Sequence, residues 1–111
     1  MNYLTHKNTF GGVYKNCFFT MGHYLDGKRP SLTLWSIEEG PLAQVTVNIP
    51  EVKIPEDCVA IKDYSENEGM LKWLIENNLV KEVVKIISHN WVKIPIVKLN
   101  MKEISKYLKE D

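Results

Sequence analysis

Arginine is almost missing from this sequence, since only Arg29 among the fourteen basic residues is an arginine. Fourteen acidic residues balance the basic ones, and both kinds are mixed along the chain. Reading of base edges and clamping of phosphates favour arginine and a basic surface. We therefore expect that nucleic acid is not a direct partner. The neutral balance argues equally against a protein that mimics DNA by its negative charge.

Long apolar runs, a signal-peptide pattern and paired cysteines are also missing. No apolar stretch approaches the roughly 20 residues that a membrane helix needs, and the N-terminus lacks a charged segment followed by an apolar one. Cys17 and Cys58 are isolated, without Cys-x-x-Cys spacing, so reduced and partly buried thiols are expected. These absences predict a cytoplasmic protein without membrane contact, and the length of 111 residues predicts a single domain over residues 1–111.

Catalytic and metal-binding motifs are absent from the sequence as well. It has no glycine-rich phosphate loop, nucleophile elbow or His-Glu-x-x-His motif. His6, His23 and His89 lack the spacing of a helical metal pair, although a site built from Cys17, His23 and His89 is left open as an alternative. The acidic stretch 63–69 does not have calcium-loop spacing, because its glycine is the seventh residue rather than the sixth. We expect no catalytic residue, no cofactor and no metal.

What the sequence does contain is a hairpin pattern. Apolar residues alternate over 32–37 and again over 42–49, and Glu38 to Pro41 form a turn segment between them. The preceding strand, 17–25, joins this hairpin through Asp26-Gly27, a favoured turn dipeptide. The three strands are therefore predicted to form an antiparallel meander.

The turns predict the pairing of these strands and the two faces of the sheet. Leu34 is expected opposite Phe19 in the first hairpin and opposite Val45 in the second. Both registers place one set of side chains on a core face: Phe19, Met21, Leu32, Leu34, Ala43, Val45 and Val47. The other face is half polar, but one end of it carries Phe18, Trp35, Ile37 and Leu42.

The helices and remaining strands complete the predicted fold. Ser65 with Glu68 has the spacing of a capping box and predicts a helix start, and the helix is expected to bury Met70, Leu71, Leu74 and Ile75, with Trp73 at the edge of that stripe. Asn100 is the predicted cap of a second helix.

Strands are predicted at 58–63, 83–87 and 91–99, and Pro95 suggests that the last is an edge strand or carries a bulge. The fold class is thus α+β, with a mainly antiparallel sheet of five to six strands, an N-terminal three-strand meander and two short amphipathic helices packed on it.

Surface aromatic residues are the most usable functional signal. Trp and Tyr are enriched among interface hot spots. We predict a partner-binding set made of Phe18, Trp35, Ile37, Leu42 and Trp73. Trp91 and Tyr64 lie at element ends and could also anchor a partner. For any single aromatic residue, packing in the core is the alternative.

Several short motifs carry a family resemblance. They are Leu32-x-Leu34, Glu39-Gly40-Pro41-x-Ala43-x-Val45-Thr46-Val47-Asn48-Ile49, Ala60-Ile61-x-Asp63 and Pro95-x-Val97-x-Leu99-Asn100. In these motifs the sequence resembles a family of short bacterial proteins of unknown function, carried on phages, plasmids and conjugative elements of Gram-positive bacteria. The resemblance implies a mobile-element accessory protein and brings no catalytic residues with it.

These observations favour a non-enzymatic protein that binds a host protein and inhibits or modulates it. An inhibitor of a defence system, such as CRISPR or restriction, is the sharpest version of this hypothesis. The alternatives are a small-molecule or nucleotide-signal binding protein, and a homodimer that pairs through the Pro95 strand or the aromatic patch. If Phe18 and Trp35 are surface residues, Trp35→Ala with Phe18→Ser should abolish partner binding and leave thermal unfolding nearly unchanged.

Overall fold

A computed structural model describes residues 2–25 and 29–109. Its eight strands form two antiparallel sheets of four, a first sheet in the order β1-β2-β3-β4 and a second sheet in the order β5-β6-β8-β7. The strands are β1 (Leu4–Lys7), β2 (Val13–His23), β3 (Pro30–Ser36), β4 (Gly40–Gln44), β5 (Thr46–Val47), β6 (Val59–Ile61), β7 (Val80–His89) and β8 (Val92–Leu99). The helices are α1 (Met70–Glu76) and α2 (Met101–Ile104), with 3₁₀ turns at Ser65–Asn67 and Ser105–Tyr107. No helix in the described ranges is long and apolar enough to cross a membrane.

The predicted α+β class with two short helices is confirmed, but the prediction of one sheet of five to six strands is wrong. The chain changes sheets at Val45, which is fully buried. The N–H of Val45 donates to the carbonyl of Leu32 in the first sheet at 2.8 Å, and its carbonyl accepts from the N–H of Lys62, next to β6, at 2.9 Å. Because apolar alternation continues through this residue, the sequence pattern does not reveal that the strand changes its partner.

The meander is present, and one of its two predicted registers is confirmed. Phe19 lies opposite Leu34 in the β2–β3 pair, whereas the Asp26-Gly27 turn lies outside the described residues. The predicted pairing of Leu34 with Val45 is wrong, because Leu34 faces Ala43. Gly40 adopts a φ of 81°, a conformation that suits glycine and allows a tighter connection than the predicted turn segment.

The main core joins both sheets and both helices. Its buried members include Leu4, Cys17, Phe19, Leu32, Leu34, Val59, Ile61, Val97, Met70, Trp73, Leu74 and Ile104. A second cluster contains Ile49, Ile54, Cys58, Ala60, Ile94 and Ile96. Strand β8 contributes Val97 to the first cluster and Ile94 and Ile96 to the second, so the centre of the second sheet is buried on both faces. Of the predicted core face, Val47 packs against the second cluster because it lies opposite Ala60, on the face of the second sheet that carries this cluster.

Helix α1 begins at Met70, later than the predicted capping box. Ser65 has a φ of 56° and lies in a 3₁₀ turn without a side-chain cap. The N–H of Leu71 instead donates to Asp63 Oδ1 at 2.8 Å. The helix buries Met70, Trp73 and Leu74, whereas Ile75 is 49% exposed. In α2, the predicted cap is confirmed, since the Asn100 side chain accepts from the N–H of Glu103.

Strand β8, which carries Pro95, is central rather than at an edge, so that prediction is wrong. Pro95 lies opposite Ile86 in β7, and on the other side β6 pairs only with Val97 and Ile96 of β8. The ladder with β6 therefore ends before Pro95, which explains how a residue without an N–H is tolerated there. The register shifts of the β7–β8 pair lie near Val80 and Val83, not at Pro95.

Candidate partner-binding surfaces

Three aromatic side chains, Tyr3, Phe18 and Trp35, form an outer aromatic cluster on the first sheet. The Phe18 and Trp35 rings stack, with centroids 6.3 Å apart and planes at 11°. Tyr3 meets Phe18 edge to face at 6.4 Å, and Lys109 Nζ lies 5.3 Å from the centroid of the Phe18 ring. Phe18 is consequently only 7% exposed, so its ring is covered by its own neighbours.

The indole of Trp35 is also fixed by contacts within the chain. Its Nε1–H donates to Thr20 Oγ1 at 2.7 Å, and the residue is half-buried. A tryptophan with a stacked ring and a satisfied N–H is the usual form of structural packing. Only the rim of the cluster, at Tyr3, is substantially exposed.

The other three members of the predicted set lie elsewhere. Ile37 is 56% exposed in the connection between β3 and β4. Leu42 packs against the main core, because the register shift between Leu34 and Trp35 makes it the extra residue of a bulge. Trp73 is buried, and its Nε1–H donates to the carbonyl of Thr5 at 2.9 Å. The structure therefore brings together Phe18 and Trp35, buries Trp73, and leaves Leu42 partly buried against the main core.

The tip of the β7–β8 hairpin presents a very different tryptophan. His89 pairs with Val92, so the loop consists of Asn90 and Trp91, which have φ values of 47° and 69°. Trp91 is fully exposed. Positive φ at both loop positions is the requirement of a type I′ turn, whose second position favours glycine.

Trp91 therefore occupies an unfavourable backbone conformation without packing in return. A residue with a Cβ in the left-handed region costs about 1 to 2 kcal/mol. An outlier of this kind is a reason to look for function at that residue. The sequence indicates this turn only in part. Asn90 is the first residue of the favoured Asn-Gly turn pair, but Trp91 occupies the position at which glycine is expected. The element-end position of Trp91 was recognised from the sequence, but its strain was not.

A cavity of about 240 Å³ lies between the β1–β2 hairpin and the start of α1. His6, one of its lining residues, is buried, and His6 Nδ1 has no hydrogen-bond partner in the described chain. Burial lowers the pKa of His6 below its usual value, so the imidazole is neutral near pH 7. Glu66 also lines the cavity, but Lys62 pairs with it and lowers the pKa of Glu66 to about 2.

Cys17 and His89 each contact residues outside the alternative site of Cys17, His23 and His89. Cys17 Sγ donates to the carbonyl of Tyr14 at 3.3 Å, and burial raises the pKa of this thiol. His89 Nε2 lies 3.0 Å from Glu51 Oε1. Across residues 2–25 and 29–109, no three His, Cys, Asp or Glu side chains are arranged to hold a metal ion. Cys17, His23 and His89 therefore do not form a metal site.

Comparisons with protein-family models, with curated proteins and with solved structures found no match to this chain.

Proposed function

We propose that this protein is a non-enzymatic cytoplasmic binding protein, through which a mobile element blocks or redirects a host protein. The observation that carries the proposal is Trp91, fully exposed at positive φ on the hairpin tip. This side chain is costly to the isolated fold and has no packing role in it. A contact outside the chain accounts for both properties.

The shape of the tip favours a protein as the partner. Small ligands bind in concave pockets that bury most of their surface. A two-residue turn that projects an indole is convex, and it fits a pocket on another macromolecule. Buried tryptophans are among the residues that contribute most to protein–protein affinity.

The family resemblance supports the biological setting of this proposal. Accessory proteins of mobile elements act in a host cell, and inhibition of a defence protein is the sharpest form of the hypothesis. The neutral charge balance of the chain supports a protein partner over a nucleic acid. It also supports direct contact rather than imitation of DNA.

Parallel capture from a Gram-positive lysate tests the proposal. Wild type, Trp91→Gly and Leu25→Ser serve as baits, the last as a matched control because Leu25 is also fully exposed. A specific partner should be recovered by wild type and Leu25→Ser and lost with Trp91→Gly. The recovered protein is then purified and titrated against all three baits.

The proposal fails if the purified partner binds Trp91→Gly as tightly as wild type. The anti-defence form has its own test, the plating efficiency of a phage on cells with an active CRISPR or restriction system. Expression of the wild type should raise plating, and expression of Trp91→Gly should not. Unchanged plating with wild type would remove the tested system as the target.

A further inference from the structure

A second cavity, of about 480 Å³, lies where the two sheets and α2 meet. Its lining includes Met21 of β2, Val59 of β6, Leu99 of β8 and Met101 of α2. Sites for small molecules have volumes of about 300 to 1,000 Å³, are mostly apolar and carry a few polar groups that orient the ligand. The size of this cavity and its place between packed elements therefore suit a small ligand.

The inner wall of the cavity is apolar. Val59 belongs to the main core, and Met21 and Leu99 are partly buried against it. Met101, at the start of α2, is 41% exposed. Methionine side chains are flexible and polarisable, so they adapt to ligands of different shape. The wall thus offers apolar surface that a ligand can remove from water.

The rim of the cavity is charged, and lysines outnumber acidic residues there. Lys81, Lys98 and Lys102 line it together with Glu56 and Asp57. Lys98 Nζ lies 3.4 Å from Asp57 Oδ2, so these two charges offset each other. Among the residues that the structure describes, Lys81 and Lys102 have no ion-pair partner. The rim therefore has an excess of positive charge, which favours an anionic group.

We propose that this cavity binds a small amphipathic anion, a molecule with an apolar chain and one carboxylate. The chain contacts Met21, Leu99 and Met101, and the carboxylate lies at the rim with Lys81 and Lys102. Ammonium groups form charge-assisted hydrogen bonds with carboxylates. A neutral apolar molecule would leave both lysines without a counter-charge, and a cation would meet the positive excess. The apolar wall and the basic rim thus select two parts of the same ligand.

The cavity and Trp91 lie at opposite ends of the β7–β8 hairpin. Val80 pairs with Leu99 beside the cavity, whereas His89 pairs with Val92 beside the tip. At about 3.3 Å per residue, the strands separate the two places by roughly 25 Å. Binding of an anion therefore goes beyond the proposed contact with a host protein, and either can fail without the other.

NMR of protein labelled at the methionine methyl groups observes this cavity directly, because Met21 and Met101 line it. Titration with octanoate should shift both signals, with a Kd of about 0.1 to 1 mM. The Met70 signal should not move, since Met70 lines the cavity beside His6. Octanol has the same chain without the charge and should bind at least about threefold more weakly. Butyrate has the charge but little apolar chain and should not bind in this range.

Charge reversal at the rim tests the two lysines. Lys81→Glu and Lys102→Glu should each weaken octanoate binding by about threefold or more and leave octanol binding unchanged. Lys85→Glu is the matched control, because Lys85 is an exposed lysine of β7 outside the lining, and this variant should bind octanoate like wild type. Met101→Ser shortens the apolar wall and should weaken octanoate and octanol alike. An unchanged Met70 signal in each free variant shows that the fold is retained.

Three results would overturn the proposal. The first is that the Met21 and Met101 signals do not respond to octanoate up to about 10 mM. The second is that octanol binds wild type as tightly as octanoate does, or that the variants at Lys81 and Lys102 bind octanoate like wild type. The third is a shift of the Met70 signal as large as those of the other two, which would place the binding elsewhere.

Discussion

Trp35 and Trp91 both belong to antiparallel hairpins, yet their surroundings differ in every respect that affects stability. Trp35 stacks on Phe18, and its N–H is hydrogen-bonded to Thr20. Trp91 is fully exposed and has a φ of 69°. The first indole stabilises the fold, whereas the second does not offset the cost of its left-handed backbone. Burial, hydrogen bonding and backbone conformation, rather than residue type, therefore separate an aromatic residue that packs within the fold from one that is free to contact a partner.

The same comparison changes the effect on stability that is expected from mutations in the outer aromatic cluster. From the sequence, removal of Phe18 and Trp35 was expected to spare the fold. Phe18 is 7% exposed and is covered by Tyr3, Trp35 and Lys109. A side chain this well covered contributes to stability in the same way as a core residue.

The largest predicted effect therefore comes from Trp35→Ala combined with Phe18→Ser. The variant should lose about 3 kcal/mol or more of unfolding free energy, because large aromatic truncations leave unfilled space. Urea denaturation followed by circular dichroism measures this loss. Ile37→Ser is the exposed control and should change stability by less than about 0.5 kcal/mol. A stable double variant would show that the cluster is a free surface after all.

Acidification should cause the next largest loss of unfolding free energy, through the buried His6. Burial lowers the pKa of His6 in the folded state, so the unfolded chain binds the proton more readily. Unfolding free energy should fall as the pH drops below about 6.5, by at most about 1.4 kcal/mol per pH unit for one group, until His6 is protonated in the folded state too. Denaturation at several pH values measures this, and His6→Gln should flatten the profile. His23→Gln, at an exposed position, is the matched control. A His6→Gln profile equal to that of wild type would contradict the assignment of the pH dependence to His6.

A smaller loss is expected when Trp35 keeps its ring but loses its hydrogen-bond acceptor. Thr20→Val removes the hydroxyl that accepts from Trp35 Nε1. Because the N–H is left half-buried without its partner, the cost should be about 1 to 1.5 kcal/mol. Thr33→Val is a suitable control, since its hydroxyl bonds the exposed Gln44 side chain. Equal effects of the two changes would show that the Trp35 bond adds no special stability.

Several features of the fold could be predicted because they depend on local pattern. The β2–β3 register followed from unbroken alternation, and the Asn100 cap followed from its spacing to Glu103. The α+β class followed from the same patterns. The core assignments of Phe19 and Leu34 are correct for this reason.

Other features depend on backbone conformations that the pattern does not reveal. Gly40 adopts a left-handed conformation in a shorter second hairpin turn, and Leu42, the extra residue of the adjacent bulge, packs against the core. Ser65 adopts a left-handed conformation, and α1 begins only at Met70. Val45 changed sheets without interrupting the alternation.

The proposed binding surface could be predicted from the sequence only in part. The sequence marked Trp91 as an element-end aromatic residue. It did not show that the loop has only two residues, and this length is what forces Trp91 to positive φ. The helical pattern places Trp73 at the edge of the buried stripe, but in the structure Trp73 is buried and its Nε1–H donates to the carbonyl of Thr5.

The urea unfolding free energy of Trp91→Gly tests the central claim most directly. Glycine relieves the left-handed strain, so the variant should be more stable than wild type by about 0.5 to 1 kcal/mol after the extra freedom of the unfolded chain is subtracted. Trp91→Ala removes the indole but keeps the strained backbone, and it should match wild type. A Trp91→Gly variant that is less stable than wild type would show that Trp91 supports the fold, and it would contradict the assignment of Trp91 to binding.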